Sequence, residues 1–294
     1  MMAGSSLAKG VLGRGRSSMS IDFRRYRHHA LWLASAVWVA PGWNPVTADN
    51  DVGKCFAQLV AAIDIGHFRS SPGARDVFGR AELDYNIELA ARIEAELVRS
   101  GIGGVVLVNR SLDMTSLPAR PMKAFCAGAD LFVSVHHDNV DENLKTGAVD
   151  ENGRRIRSND LIEGYTVYFS SQNRYADLSF ALGLSVAEAL RASGVLPATP
   201  YRNIIADELR EPVSADLNVF DYQKLKVSRT SPIPAILLEA GFLSNRNDVR
   251  RLRNAEYRQR IALGIVDGLK AMCARHPGLA GLNRTAGNRR MQCG

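Results

Sequence analysis

No Gly-x-Gly-x-x-Gly follows the first strand-like run of this chain, which excludes the dinucleotide-binding form of an α/β fold. None of the four cysteines (Cys55, Cys126, Cys273, Cys293) belongs to a Cys-x-x-Cys pair, so a thiolate metal site is excluded as well. The uncharged apolar run 30–40 has 11 residues, against the roughly 20 that a bilayer-spanning helix needs. There is no internal repeat. Nor does the formal charge of +7 belong to the middle of the chain. Residues 1–48 hold six of the 37 Lys and Arg and one of the 30 acids, and the tail from Ala274 holds four Arg and no acid. What remains in 49–273 is 27 basic against 29 acidic residues. A near-neutral domain gives no electrostatic case for nucleic-acid binding.

The excess charge sits where a targeting segment is expected. Residues 24–29 form a basic stretch, 30–40 an apolar one, and Val46-Thr47-Ala48 resembles a small-x-small cleavage site. Met19 would begin a leader of ordinary proportions, and Arg24-Arg25 hints at twin-arginine export. The expected organisation is therefore a segment 1–48 with a signal peptide, a domain 49–273, and a basic, unstructured tail 274–294. The mature protein would be exported, to the periplasm or cell wall, with no stable membrane insertion. In an oxidising compartment four cysteines can pair in three ways, though Cys126 and Cys273 also fit as buried thiols in apolar helical patterns.

From residue 59 onward strands and helices alternate, predicting an α/β single domain. It would carry a mostly parallel mixed sheet of about five to six strands with helices on both faces. Runs 59–65, 105–108, 131–136, 165–169 and 233–238 read as strands, and 217–225 holds a short strand or a turn. Runs 82–100, 117–127, 175–192 and 248–273 read as helices, the last as one or two. The charged stretch 138–160 reads as a surface loop that can cover a site.

Three strand runs deliver chemistry-bearing side chains. Ala61-Ala-Ile-Asp-Ile-Gly-His67 and Leu131-Phe-Val-Ser-Val-His136 each close on a histidine, and Ala235-Ile-Leu-Leu-Glu239 delivers a carboxylate. Ligands of open α/β sheets bind at the carboxyl ends of the strands. Two imidazoles there suit a zinc site, whose third ligand is best supplied by Glu82, at the start of the helix after a Gly-containing loop. Glu239 can act as general base toward a zinc-activated water and later protonate the leaving amine. Each residue alone also has an ordinary structural reading; their joint occurrence is what points to a site. His137 reads as a loop residue that can touch substrate. Arg110 and Arg120 are candidates for peptide carboxylates, with surface or ion-pair roles as the alternative.

Asp64-Ile-Gly-His67, Pro72-Gly-Ala, Gly79-Arg-Ala-Glu82, Arg110, Arg120, Ala129-Asp-Leu-Phe-Val-Ser-Val-His136 and Pro234-Ala-Ile-Leu-Leu-Glu239-Ala-Gly-Phe-Leu-Ser-Asn245 occur in that order. Together they resemble the zinc-dependent N-acetylmuramoyl-L-alanine amidases of the amidase 3 family, over about 59–272. The resemblance implies a peptidoglycan hydrolase that cuts between the lactyl group of muramic acid and L-alanine. Zinc would lie on His67, Glu82 and His136, and Glu239 would be catalytic. Peptidoglycan or muropeptides would be the partner, with any activator protein unidentified. A silent peptidoglycan-binding module and a zinc peptidase of other specificity are the alternatives. Phe68, Leu83 and His137 depart from the family pattern, and only 170–174 fills the gap where some relatives carry an occluding helix.

Overall fold

The computed structural model describes residues 45–198, 210–285 and 293. Of the segment read as 1–48, residues 1–44, Met19 included, lie outside them. Helix α1 (Pro45–Gln58) is followed by β1 (Val60–Ile65), α2 (Glu82–Arg99), β2 (Gly104–Val108), α3 (Ala119–Cys126) and β3 (Leu131–Asp138). Then come β4 (Thr146–Val149), β5 (Arg155–Ser158), β6 (Thr166–Phe169), α4 (Ala176–Ala192), β7 (Arg210–Ser214), β8 (Val219–Tyr222) and α5 (Lys226–Arg229). The order closes with β9 (Ala235–Phe242), α6 (Arg246–Arg253), α7 (Ala255–Arg275) and α8 (Leu282–Thr285).

The main sheet has seven strands in the order β2-β1-β3-β9-β6-β8-β7. Its first four strands run parallel, β6 pairs antiparallel with β9, and β7 closes the edge antiparallel to β8. The strand count exceeds the five to six expected. The additional edge strand, Arg-Glu-Pro-Val-Ser, has neither an apolar run nor a clean alternation, and its proline is tolerated because it lies at an edge. One core joins the sheet to α1, α2, α4 and α7; another, on the opposite face, joins it to α3 and α5. The helices on both faces explain why β1, β3 and β9 are apolar almost throughout.

Several expectations change, and one left open is decided. The stretch read as a loop holds the antiparallel hairpin β4–β5, closed by a turn in which Asp150 and Arg154 pair backbone groups. Asn254 caps α7 with its side chain and separates it from α6, so two helices occupy 248–273. The segment 274–294 is not unstructured through Thr285. Asn283 Nδ2 donates to the carbonyls of Phe125 and Ala129, and Asp130 accepts the N–H groups of Gly281 and Asn283. Disulfides join Cys55 to Cys273 and Cys126 to Cys293, so Cys126 and Cys273 are not free thiols. Helix α1 also runs through the cleavage position read at Ala48.

Candidate metal centre

The chain turns sharply after β1. His67 adopts φ +66°, a left-handed conformation uncommon outside glycine. The bend is held by side chains beneath it. Asn109 Nδ2 donates to the carbonyls of Ile65 (2.8 Å) and His67 (2.7 Å), and the Arg120 guanidinium donates to the same two at 3.0 and 2.6 Å. Arg120 is 1% exposed and also meets the Met114 carbonyl and the Asp64 carboxylate. It positions the loop and cannot reach a substrate. Arg110 pairs with Glu94 of α2 at the surface (2.6 Å), the ion-pair role that the sequence offered as an alternative.

Glu82 opens α2, where a carboxylate is favoured by the helix dipole. Its N–H donates to the Ala74 carbonyl (2.8 Å) and its Oε2 accepts from the Ala74 N–H (3.2 Å), which closes the loop back onto the helix start. Asp76 anchors the same loop, accepting from Phe78, Arg80, Tyr85 and Arg253. The carboxylate then meets both histidines. His67 Nε2 lies 2.8 Å from Oε2 and His136 Nδ1 lies 3.0 Å from Oε1, with the two rings edge-on at 4.9 Å between centroids. One ligand atom from each of the three residues falls within 4.8 Å of the others.

This donor set suits a divalent cation of zinc's preferences, and the surroundings fit it. A Cβ on Gly66 would lie 2.4 Å from His136 Nε2, and one on Gly73 would lie 2.4 Å from Glu82 Oε2 and 2.6 Å from the His67 ring. Both glycines leave room only for the ligand side chains. Burial alone would raise the Glu82 carboxyl, but hydrogen bonds with His136 and His67 outweigh it and hold the group far below the usual carboxylate range.

Glu239 is the register partner of His136 in the parallel β3–β9 pairing. Immediately beyond, the register slips, so that Ala240 and Gly241 lie opposite His137 before Phe242 pairs with Asp138. Such bulges recur beside active sites, where they redirect a side chain. Glu239 Oε2 is enclosed and accepts no hydrogen bond from the described residues. Burial, reinforced by the carboxylates of Asp138 and Glu82, pushes the Glu239 carboxyl well above its ordinary value, with Arg210 offsetting part of the rise. A carboxyl so poised can both take and return a proton.

His137 does not behave as a loop residue open to substrate. Strand β3 continues to Asp138, and the side chain is buried against α2, with Nδ1 2.7 Å from Asn86 Oδ1 and its ring tilted on Tyr85. Burial pushes its imidazole down to about 3. Asn86 and Asn109 are the supporting residues that the sequence reading missed. Asn86 could have been found from its spacing, one helical turn after Glu82 on the same face. Asn109 carried no comparable signal.

A family profile described as N-acetylmuramoyl-L-alanine amidase matches residues 61–271. The N-acetylmuramoyl-L-alanine amidase AmiC of Escherichia coli O6:H1 is 26% identical over 233 residues, covering 74% of this chain and 53% of that protein. The chain thus spans about half the length of that relative. A crystal structure of the N-acetylmuramyl-L-alanine amidase of Mycobacterium smegmatis matches with a TM-score of 0.57 at 19% identity, covering 74% of this chain and 97% of the other. The catalytic domain of CwlV, an N-acetylmuramoyl-L-alanine amidase from Bacillus (Paenibacillus) polymyxa var. colistinus, gives 0.53 at 24% identity, covering 72% and 97%. At those identities the two structures bear on the fold.

Proposed function

The chain belongs to the N-acetylmuramoyl-L-alanine amidase family, and from that premise we propose that it hydrolyses the amide between the muramoyl lactyl group and L-alanine in peptidoglycan. The observation that carries the reading is the meeting of His67, Glu82 and His136 within 4.8 Å, with Glu239 in register beside His136. These three would hold zinc, and the chemistry zinc supplies at such a site is Lewis acidity toward the scissile carbonyl and the attacking water.

The chain's own residues do the rest. Glu239 takes the proton of the attacking water and returns it to the departing α-amine of L-alanine. Its raised affinity for a proton favours the first half of that transfer. Arg120 and Asn109 keep the His67 bend in place, and Ala74 closes the loop onto Glu82. We read the two disulfides as support for an exported, oxidising location, periplasm or cell wall. No helix among the described residues is long and apolar enough to cross a membrane.

The test is incubation of the purified protein with sacculi and with defined muropeptides, with and without a chelator. The reading expects chelator-sensitive release of peptides beginning at L-alanine. Cleavage inside the stem peptide would indicate a peptidase, and binding without products a silent module.

A further inference from the structure

A second histidine follows His136, and its surroundings assign it a specific task. Asn86 Nδ2 meets the Gly66 carbonyl at 3.2 Å and Glu82 Oε1 at 3.3 Å. A backbone carbonyl can only accept, so the amide nitrogen must lie on that side and Oδ1 must face His137. An acceptor 2.7 Å from His137 Nδ1 places the imidazole proton on Nδ1. The chain of donors therefore has one direction, from the His137 ring to Asn86 and from Asn86 to Glu82. A second link reaches the same oxygen: the His137 backbone N–H donates to Glu82 Oε1 at 3.2 Å. His137 is 2% exposed and Asn86 is fully buried, so water offers neither an alternative partner.

We propose that His137 is a positioning residue for the metal centre: acting through Asn86, its ring fixes the orientation of the Glu82 carboxylate and so sets the affinity for zinc. The inference rests on the zinc reading of the His67–Glu82–His136 group. Its physical basis is preorganisation. Glu82 Oε1 serves His136 at 3.0 Å only if the carboxylate plane is held, and Oε2 must at the same time face His67 at 2.8 Å. Without the His137 ring, the Asn86 amide can rotate and the carboxylate loses a donor on its rear side. Outer partners of this kind alter metal affinity by about 10- to 100-fold in other sites. The backbone N–H survives substitution, so the ring's share is separable from the strand's.

The experiment measures zinc affinity of the metal-stripped full chain by competition with a chromophoric chelator, with thermal unfolding as the control for folding. His137→Leu, which keeps bulk without a donor, should lose about 10-fold or more in affinity. His137→Gln, which can still donate to Asn86 Oδ1, should recover most of that loss. In an Asn86→Ala background His137→Leu should cost little further, because the route is already cut. A folded His137→Leu protein with wild-type affinity overturns the proposal, as does full additivity with Asn86→Ala. If His137→Leu does not fold, the Gln variant decides: near wild-type affinity supports the role, and a loss as large as that of Asn86→Ala overturns it. A wild-type chain that binds no zinc removes the metal reading and this inference with it, whereas zinc binding that is indifferent to His137 removes only the inference.

Discussion

His136 and Glu239 stand opposite one another in register across the parallel pairing of β3 and β9. Register partners project to the same face of a sheet, from strands less than 5 Å apart. One strand pairing therefore places a metal-ligand candidate beside a buried carboxyl that has no hydrogen-bond partner on Oε2. On the proposed function, His136 would hold the metal and Glu239 would move a proton.

Substitution of Glu239 should separate these tasks. Glu239→Gln keeps shape and volume while removing the proton acceptor. It should bind zinc like the wild type and lose about 100- to 10,000-fold in kcat, the range typical of a lost general base. Steady-state release of L-alanine-terminated peptide, with metal content measured on the same sample, checks both halves.

The two loop glycines before α2 provide a matched comparison. Gly73 and Gly79 both have positive φ (+78° and +94°), but a Cβ on Gly73 would strike Glu82 and His67, whereas one on Gly79 meets nothing within 4 Å. Alanine at either position should cost about 1–2 kcal/mol of stability for the left-handed backbone. Only Gly73→Ala should also weaken zinc binding, by about 10-fold or more. Chelator competition and thermal melts on the two variants distinguish the effects.

The β4–β5 hairpin is tied to α6 by Arg246, which donates to Asp160 Oδ2 at 2.8 Å and to the Val149 carbonyl at 3.4 Å. Burial would raise the Asp160 carboxyl, but the Arg246 guanidinium and N–H outweigh it and hold it below its ordinary value. A carboxyl lowered on folding contributes stability above its unfolded pKa of about 3.9, and that contribution is lost as pH falls through the lower folded value. Arg246→Ala should accordingly speed hydrogen exchange across 146–158 at neutral pH, and the difference from wild type should shrink as pH falls below the ordinary carboxylate range. The tie is partly solvent-exposed, so its share in global stability is small.

Much of the site was legible because it lies on fully buried strands. β1, β3 and β9 are largely apolar, and His67 just beyond β1, His136 in β3 and Glu239 in β9 stand out against them. Glu82 was legible from its place at a helix start. The supporting residues were not. Arg120 looks like a surface cation on a short amphipathic helix, and only the folded chain shows it buried under the His67 bend. His137 reads as the beginning of a loop because the residues after it are polar, yet β3 extends to Asp138 through long-range pairing with Phe242. The segment after Ala274 was misread for a similar reason. Its polar composition suggests no structure, but Asn283 satisfies carbonyls of the α3–β3 corner that lie more than 150 residues earlier in the chain. Local composition does not report partners so far away.

The most direct test is elemental analysis of the purified, zinc-loaded chain beside Glu82→Ala. The account predicts about one zinc per wild-type chain, bound tightly enough to survive gel filtration, and its loss when the carboxylate that bridges His67 and His136 is removed. A wild-type chain that emerges free of metal, or a folded Glu82→Ala chain that keeps zinc as firmly as the wild type, would contradict it.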